Sequence, residues 1–131
     1  HRGAAGGRQS YGVENYVQAA NDETLITVLI EDIVAIDNLE EIVTVDHIDV
    51  FYVAPGDLAQ SMGLTGQTSH PDVQSAVERG IATIVDSGRT AGMLVNDSTV
   101  DAYIGKGVRF VGIPWSPWLA SGARSFLDNL A

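Results

Sequence analysis

The sequence predicts an α/β chain built on a parallel sheet, with four βα units in succession, half of what an eight-stranded barrel needs. Three observations lead there. The strand-like segments are rich in Val and Ile without alternating polar residues, as strands covered on both faces are. Each is separated from the next by a stretch with helical spacing. The 131 residues supply a single core, whereas eight units take about 200–250. Half a barrel exposes two strand edges, so the alternatives are a missing N-terminal half, a partner chain, or an open sheet with another strand order.

The elements follow in order. Residues 1–12, "HRGAAGGRQSYG", are glycine-rich and basic without periodicity and predict a loop. "VENYVQAAND" (13–22) has helical character, and "LITVLIED" opens with a strand over 25–30. "IVAIDNLEEIVTV" (33–45) carries helical spacing, and "IDVFYVA" (48–54) is a second strand. "HPDVQSAVERGIATIVDSG" (70–88) is a long helix, with Pro71 and Gly88 fitting its start and stop. "AGMLV" (91–95), "DSTVDAYIGKG" (97–107), "VRFVGI" (108–113) and "WLASGARSFLDNLA" (118–131) complete the strand, helix, strand, helix order.

Composition excludes several classes of function. A formal net charge of −10 repels phosphate backbones and anionic lipid, so neither nucleic acid nor membrane is an expected partner. With no cysteine there is no disulfide, thiolate metal site or cysteine nucleophile, and a cytoplasmic setting is expected. No apolar run approaches the roughly 20 residues that span a bilayer. The opening residues resemble neither a signal peptide nor an ordinary first-methionine start, so the chain is expected to begin inside something longer. Motifs of serine hydrolases, zinc proteases and nucleotide-binding loops are absent from the sequence.

In a parallel βα array the reactive groups collect where the C-terminal ends of the strands meet the following loops. Glu31 directly follows the first strand and Asp57 lies just beyond the second. Two carboxylates on one rim suit a hard divalent cation. Each has an ordinary alternative: Asp57 in front of "LAQSMG" also reads as a helix N-cap, and Glu31 as a solvated residue past the strand end. Gly56 leaves the backbone bare at a helix entry, where free amides suit a carboxylate or phosphate. His47 precedes its strand at the opposite rim and reads as a surface loop residue, His70 as a helix-entry residue. Trp115 and Trp118 in "IPWSPWL" flank a proline turn at the last strand's end, where they could line a pocket, and are read as a subunit contact or as core.

The stretch "VLIED…NLEEI…VDHIDVFYVAPGDLAQSMGLTGQTSHPDVQSAVERGI" closely resembles the HpcH/HpaI family of metal-dependent 2-oxo-acid aldolases. That family runs V-x-I-E, N-L-x-x-I, V-D-x-x-F-I-G-P-x-D-L-x-x-x-M-G and a later H-P-x-V. With "AGMLV" and "GVRFVGI" the likeness extends over about 13–113. It implies a (β/α)8 TIM barrel of which residues 1–131, as one domain, supply the last four βα units. It further implies Glu31 and Asp57 as catalytic ligands of Mg2+ or Mn2+, with Co2+ also accepted. The amides of Gly56 and Asp57 would hold the carboxylate of a pyruvate-like acid, and Leu94 would line the substrate pocket. The reaction implied makes or breaks a carbon–carbon bond between a 2-oxo acid and an aldehyde, in a homo-oligomer (a hexamer, or trimer of dimers) whose last helix packs on a neighbouring subunit.

The departures from the pattern also count. The family's D-x-E-H segment, with its histidine–aspartate base, and its enolate-holding arginine belong to an N-terminal half that this sequence does not contain. The loop with Arg2 and Arg8 is shorter than the family's R-G-x-G stretch, and "GIPWSPWL" replaces its G-x-D segment. A decarboxylase or synthase of oxaloacetate type, an acyl-CoA lyase of the same superfamily, and a non-catalytic half-barrel that binds metal or a partner are the alternative readings.

Overall fold

The computed structural model describes residues 12–130; Arg2 and Arg8 lie outside the described residues. Four parallel strands, β1 (Thr27–Ile30), β2 (Val50–Val53), β3 (Thr90–Leu94) and β4 (Phe110–Gly112), form one sheet in the order β1-β2-β3-β4. A strand order that follows the chain is barrel-type winding, whereas an open doubly wound sheet reverses order at a switch point. The half-barrel expectation therefore holds against the open-sheet alternative. The helices are α1 (Tyr16–Glu23), α2 (Ile33–Asp37), α3 (Leu39–Ile42), α4 (Pro55–Ser61), α5 (Pro71–Asp86), α6 (Val100–Gly105) and α7 (Ser116–Asp128).

The core lies on one face of the sheet. Level residues in the register make its rows, Val28, Phe51 and Ala91 in one, Ile30, Val53 and Met93 in the next. Onto these α5 lays Val73, Ala76, Val77, Gly80, Ile81 and Ile84, the 3–4 spacing of one helix face. The other face carries Leu29, Tyr52, Gly92 and Phe110 in a row, with Leu29 56 % and Leu94 52 % exposed. Apolar residues on both sides of each strand predict two covered faces, and the described residues cover only one.

Helix boundaries follow local chemistry. Predicted as one helix, 33–45 divides at Asn38, whose side-chain amide donates to the Val34 carbonyl at 2.7 Å, competing with the backbone ladder. α1 starts at Tyr16 and not at residue 13, because Asn15 before it has a left-handed backbone, φ 52°. α5 begins behind His70, whose Nδ1 accepts from the Asp72 amide at 3.2 Å, bearing out the helix-entry reading. It ends where Gly88, φ 77°, reverses the chain and the Arg89 amide bonds the Ile84 carbonyl, a left-handed closure that favours glycine.

Arg89 then anchors the lower rim. Its guanidinium donates to the carbonyls of Val45 and Ile48, at 3.0 and 2.7 Å, and lies 5.1 Å from the centre of the Phe51 ring. Arg89→Met keeps the aliphatic stem and leaves two carbonyls without this donor, so a loss of about 1–3 kcal/mol is expected, read as a lowered urea midpoint. A midpoint unchanged from the parent would show that solvent replaces both contacts.

Candidate metal and substrate site

The two rim acids occupy comparable places on neighbouring strands. Ile30 and Val53 are level in the β1–β2 register, and the Ala54 amide donates to the Ile30 carbonyl at 3.1 Å. Glu31 follows at once and is half-buried; strand alternation places it on the face of Leu29 and Tyr52. Asp57 follows β2 through Ala54, Pro55 and Gly56 and is exposed.

The N-cap reading of Asp57 is corrected by the structure. Helix α4 starts at Pro55, its N-cap is Ala54, no side chain caps it, and Asp57 lies inside the first turn. Proline, with φ preset and no N–H to lose, takes the first helical position and moves the start two residues ahead of the aspartate. At the end of β1 the capping falls to Asp32, whose carboxylate accepts from the Val34 amide at 2.8 Å. In both loops, then, helix initiation is served by a residue other than the rim acid.

The loops are also tied to each other. Ser61 Oγ accepts from the Ile33 amide at 3.0 Å and donates to the Leu58 carbonyl at 2.8 Å, fastening the start of α2 to α4. Among the described residues no three His, Asp or Glu side chains gather in metal-binding geometry. The donor set here is two carboxylates, hard oxygen ligands that leave most positions of an octahedral cation to water and substrate.

In α4 the first backbone bond runs from Leu58 to Ala54, so the amides of Gly56 and Asp57 precede the helical ladder. A Cβ at Gly56 would meet nothing within 4 Å; the approach to its backbone is open. A cleft of about 290 Å³ has Gly56 and Leu94 on its wall, with Thr68, Gln74 and Asn96 as polar lining. The structure thus brings Gly56 and Leu94 together on one cleft, while Glu31 and Asp57 do not line it. A larger hollow of about 500 Å³ is lined, among the described residues, by α7 and its C-cap Asn129, and by neither rim acid.

The remaining candidates fall elsewhere. His47, exposed and at φ 62°, stands in the loop before β2 as expected. Trp115 and Trp118 are 67 % and 51 % exposed, which overturns the core reading: β4 is followed by a helix none of whose residues is buried. Trp118 Nε1 donates to the Asp97 carboxylate at 3.1 Å, tying α7 to the loop after β3. One residue that motif reading passed over is Tyr52. It lies on the open face, and burial raises its phenol above the ordinary value.

Known proteins resemble the chain over most of its length. A hydroxypyruvate/pyruvate aldolase of Roseobacter denitrificans is 39 % identical over 112 residues, 84 % of this chain and 44 % of that protein. A 4-hydroxy-2-oxo-heptane-1,7-dioate aldolase of Escherichia coli is 36 % identical over 102 residues, 77 % of this chain and 39 % of that protein. Among solved structures, a HpcH/HpaI aldolase/citrate lyase family protein from Burkholderia cenocepacia superposes with a TM-score of 0.80 at 28 % identity, covering 89 % of this chain and 46 % of that one. The chain spans less than half the length of each of these proteins. With the profile of the HpcH/HpaI aldolase/citrate lyase family matching residues 2–114, the chain belongs to that family and carries the strands of a partial TIM barrel.

Proposed function

We propose that the chain contributes the metal- and oxo-acid-binding half of an aldolase that makes or breaks a carbon–carbon bond of a 2-oxo acid. One observation carries this: Glu31 and Asp57 stand beyond the C-terminal ends of two paired strands, and neither caps its helix. The family is in general divalent-metal dependent, and two carboxylates fit Mg2+ or Mn2+, with Co2+ as a further candidate. When bound, such an ion supplies Lewis-acid polarisation of the oxo group. Glu31 and Asp57 would hold it. The Gly56 and Asp57 amides would orient the acid's carboxylate, and Leu94 would shield one side from water.

In this proposal Glu31, Asp57, Gly56 and Leu94 bind and orient the acid and transfer no proton. In the names of two relatives, hydroxypyruvate, pyruvate and 4-hydroxy-2-oxo-heptane-1,7-dioate are the compounds acted on, so small 2-oxo acids and aldehydes are the proposed substrates. We further propose that residues 1–131 act as one half-barrel domain, in a cytoplasmic homo-oligomer (a hexamer, or trimer of dimers). Exposed Leu119, Phe126 and Leu127 on α7, with Leu130 just beyond its end, support the oligomer. No helix among the described residues is long and apolar enough to cross a membrane.

The direct test is relaxation of the pyruvate methyl protons by Mn2+ in the presence of the chain. Broadening beyond that from free Mn2+, abolished by excess Mg2+, is expected. Broadening equal to Mn2+ alone sinks the reading.

A further inference from the structure

The open face of the sheet carries one polar side chain in its middle row. Tyr52 points from β2 across its neighbours: a Cβ at Gly92 on β3 would lie 2.7 Å from the ring's Cδ2, and one at Gly112 on β4 would meet the hydroxyl oxygen itself. Two glycines, on β3 and β4, therefore form the slot in which the phenol lies. Phe110 closes the slot from the side, edge to face at 79° with ring centres 6.2 Å apart. The hydroxyl ends beside Gly112, the residue level with Leu94, whose Cδ1 is 3.5 Å from that same Cβ position.

So the hydroxyl and the Leu94 side chain converge at the upper end of the open face, on the rim that carries Glu31. The wall around them is Leu94, Phe110 and the bare backbone of Gly92 and Gly112. Burial alone shifts the phenol, and the shift is upward, so at neutral pH it is a protonated donor. A single hydroxyl held in an apolar wall discriminates by chemistry and not by size, because a ligand lacking the matching oxygen leaves it without a partner.

Resting on the site proposed above, we infer that Tyr52 is a specificity-determining residue. Its hydroxyl hydrogen-bonds an oxygen on the carbon chain of the bound small molecule, so that a hydroxylated 2-oxo acid is held in preference to its methyl analogue. Arguing for this role is the placement: the phenol spans three strands to bring its only polar atom to the rim, at a cost of two side chains on β3 and β4.

The test compares hydroxypyruvate with 2-oxobutyrate, near-isosteric acids that differ by a hydroxyl in place of a methyl, each titrated into the Mn2+-loaded chain. The parent is expected to favour hydroxypyruvate about five- to tenfold, the worth of one neutral hydrogen bond. Tyr52→Phe, which keeps the ring in its slot, is expected to bring the ratio to about one by weakening hydroxypyruvate alone. Gly112→Ala retains the phenol but displaces its hydroxyl and is expected to lose the preference as well, which decides the matter should Tyr52→Phe fail to fold by circular dichroism. A parent that does not distinguish the acids, or a preference that survives in the folded variants, overturns the role of Tyr52 and leaves the site standing. Failure of the parent to bind either acid overturns the site and this inference with it.

Discussion

Glu31→Ala and Asp57→Ala are each expected to lose Mn2+ binding, with affinity falling beyond the roughly 10–100-fold that removal of a mere supporting contact costs a metal site. The proposed donor set is two carboxylates, and deleting one leaves it a single charged oxygen, insufficient to compete with the hydration shell of a hard cation. Asp32→Ala makes the contrast. It stands next to Glu31 and carries the same charge, but its carboxylate caps α2, so its loss is expected to cost about 1 kcal/mol of stability with Mn2+ affinity little changed. Titration followed by electron paramagnetic resonance of free Mn2+ reads all three. Equal affinities for the parent and Asp57→Ala would falsify the assignment, and an effect of Asp32→Ala as large as that of Glu31→Ala would reduce it to general acidity of the rim.

The parts of the fold open to sequence reading were those set by short-range rules. Pro71 and Gly88 mark a helix start and stop because one lacks an N–H and the other tolerates positive φ. Of the candidate site, the sequence showed that Glu31 and Asp57 follow apolar runs, and the structure places both beyond strand ends. Whether Asp57 capped its helix was not, since Asp-before-helix and Pro-at-N1 compete within four residues and only the backbone shows that proline wins. Tyr52 was hidden for a different reason. In "VFYV" every residue is apolar in body, so period-2 alternation separates Phe51 from Tyr52 without saying which one faces the helices. That choice depends on Ala91 and Gly92 three elements later: the row of Ala91 lies under α5 and the row of Gly92 makes room for the phenol. The tryptophans illustrate the opposite error. Large aromatic residues near a proline turn suggest burial, yet no other described element covers α7 closely enough to bury any of its residues.

Phe51→Ala is expected to lower the free energy of unfolding by about 3–5 kcal/mol, the largest effect of any single truncation on the fold. Phe51 has no exposed surface and is the bulkiest of the fully buried side chains. It sits on β2, which pairs on both sides, so the surroundings have no free edge along which to collapse into the space left. The Arg89 guanidinium over its ring adds a second loss, because the cation keeps its carbonyl partners but not the aromatic face. Domains hold about 5–15 kcal/mol in total, and this one leaves apolar residues of its second sheet face in solvent, so such a loss removes much of its margin. Leu29→Ala, an aliphatic truncation on the open face, serves as the control: at 56 % exposure it is expected to stay within about 1 kcal/mol of the parent. Urea unfolding followed by far-ultraviolet circular dichroism is the measurement, since both tryptophans are exposed in the folded chain. Comparable losses for Phe51→Ala and Leu29→Ala would mean that the helix-covered face is not the one that holds the sheet together, and with it would go the argument that the opposite face is free to serve the site.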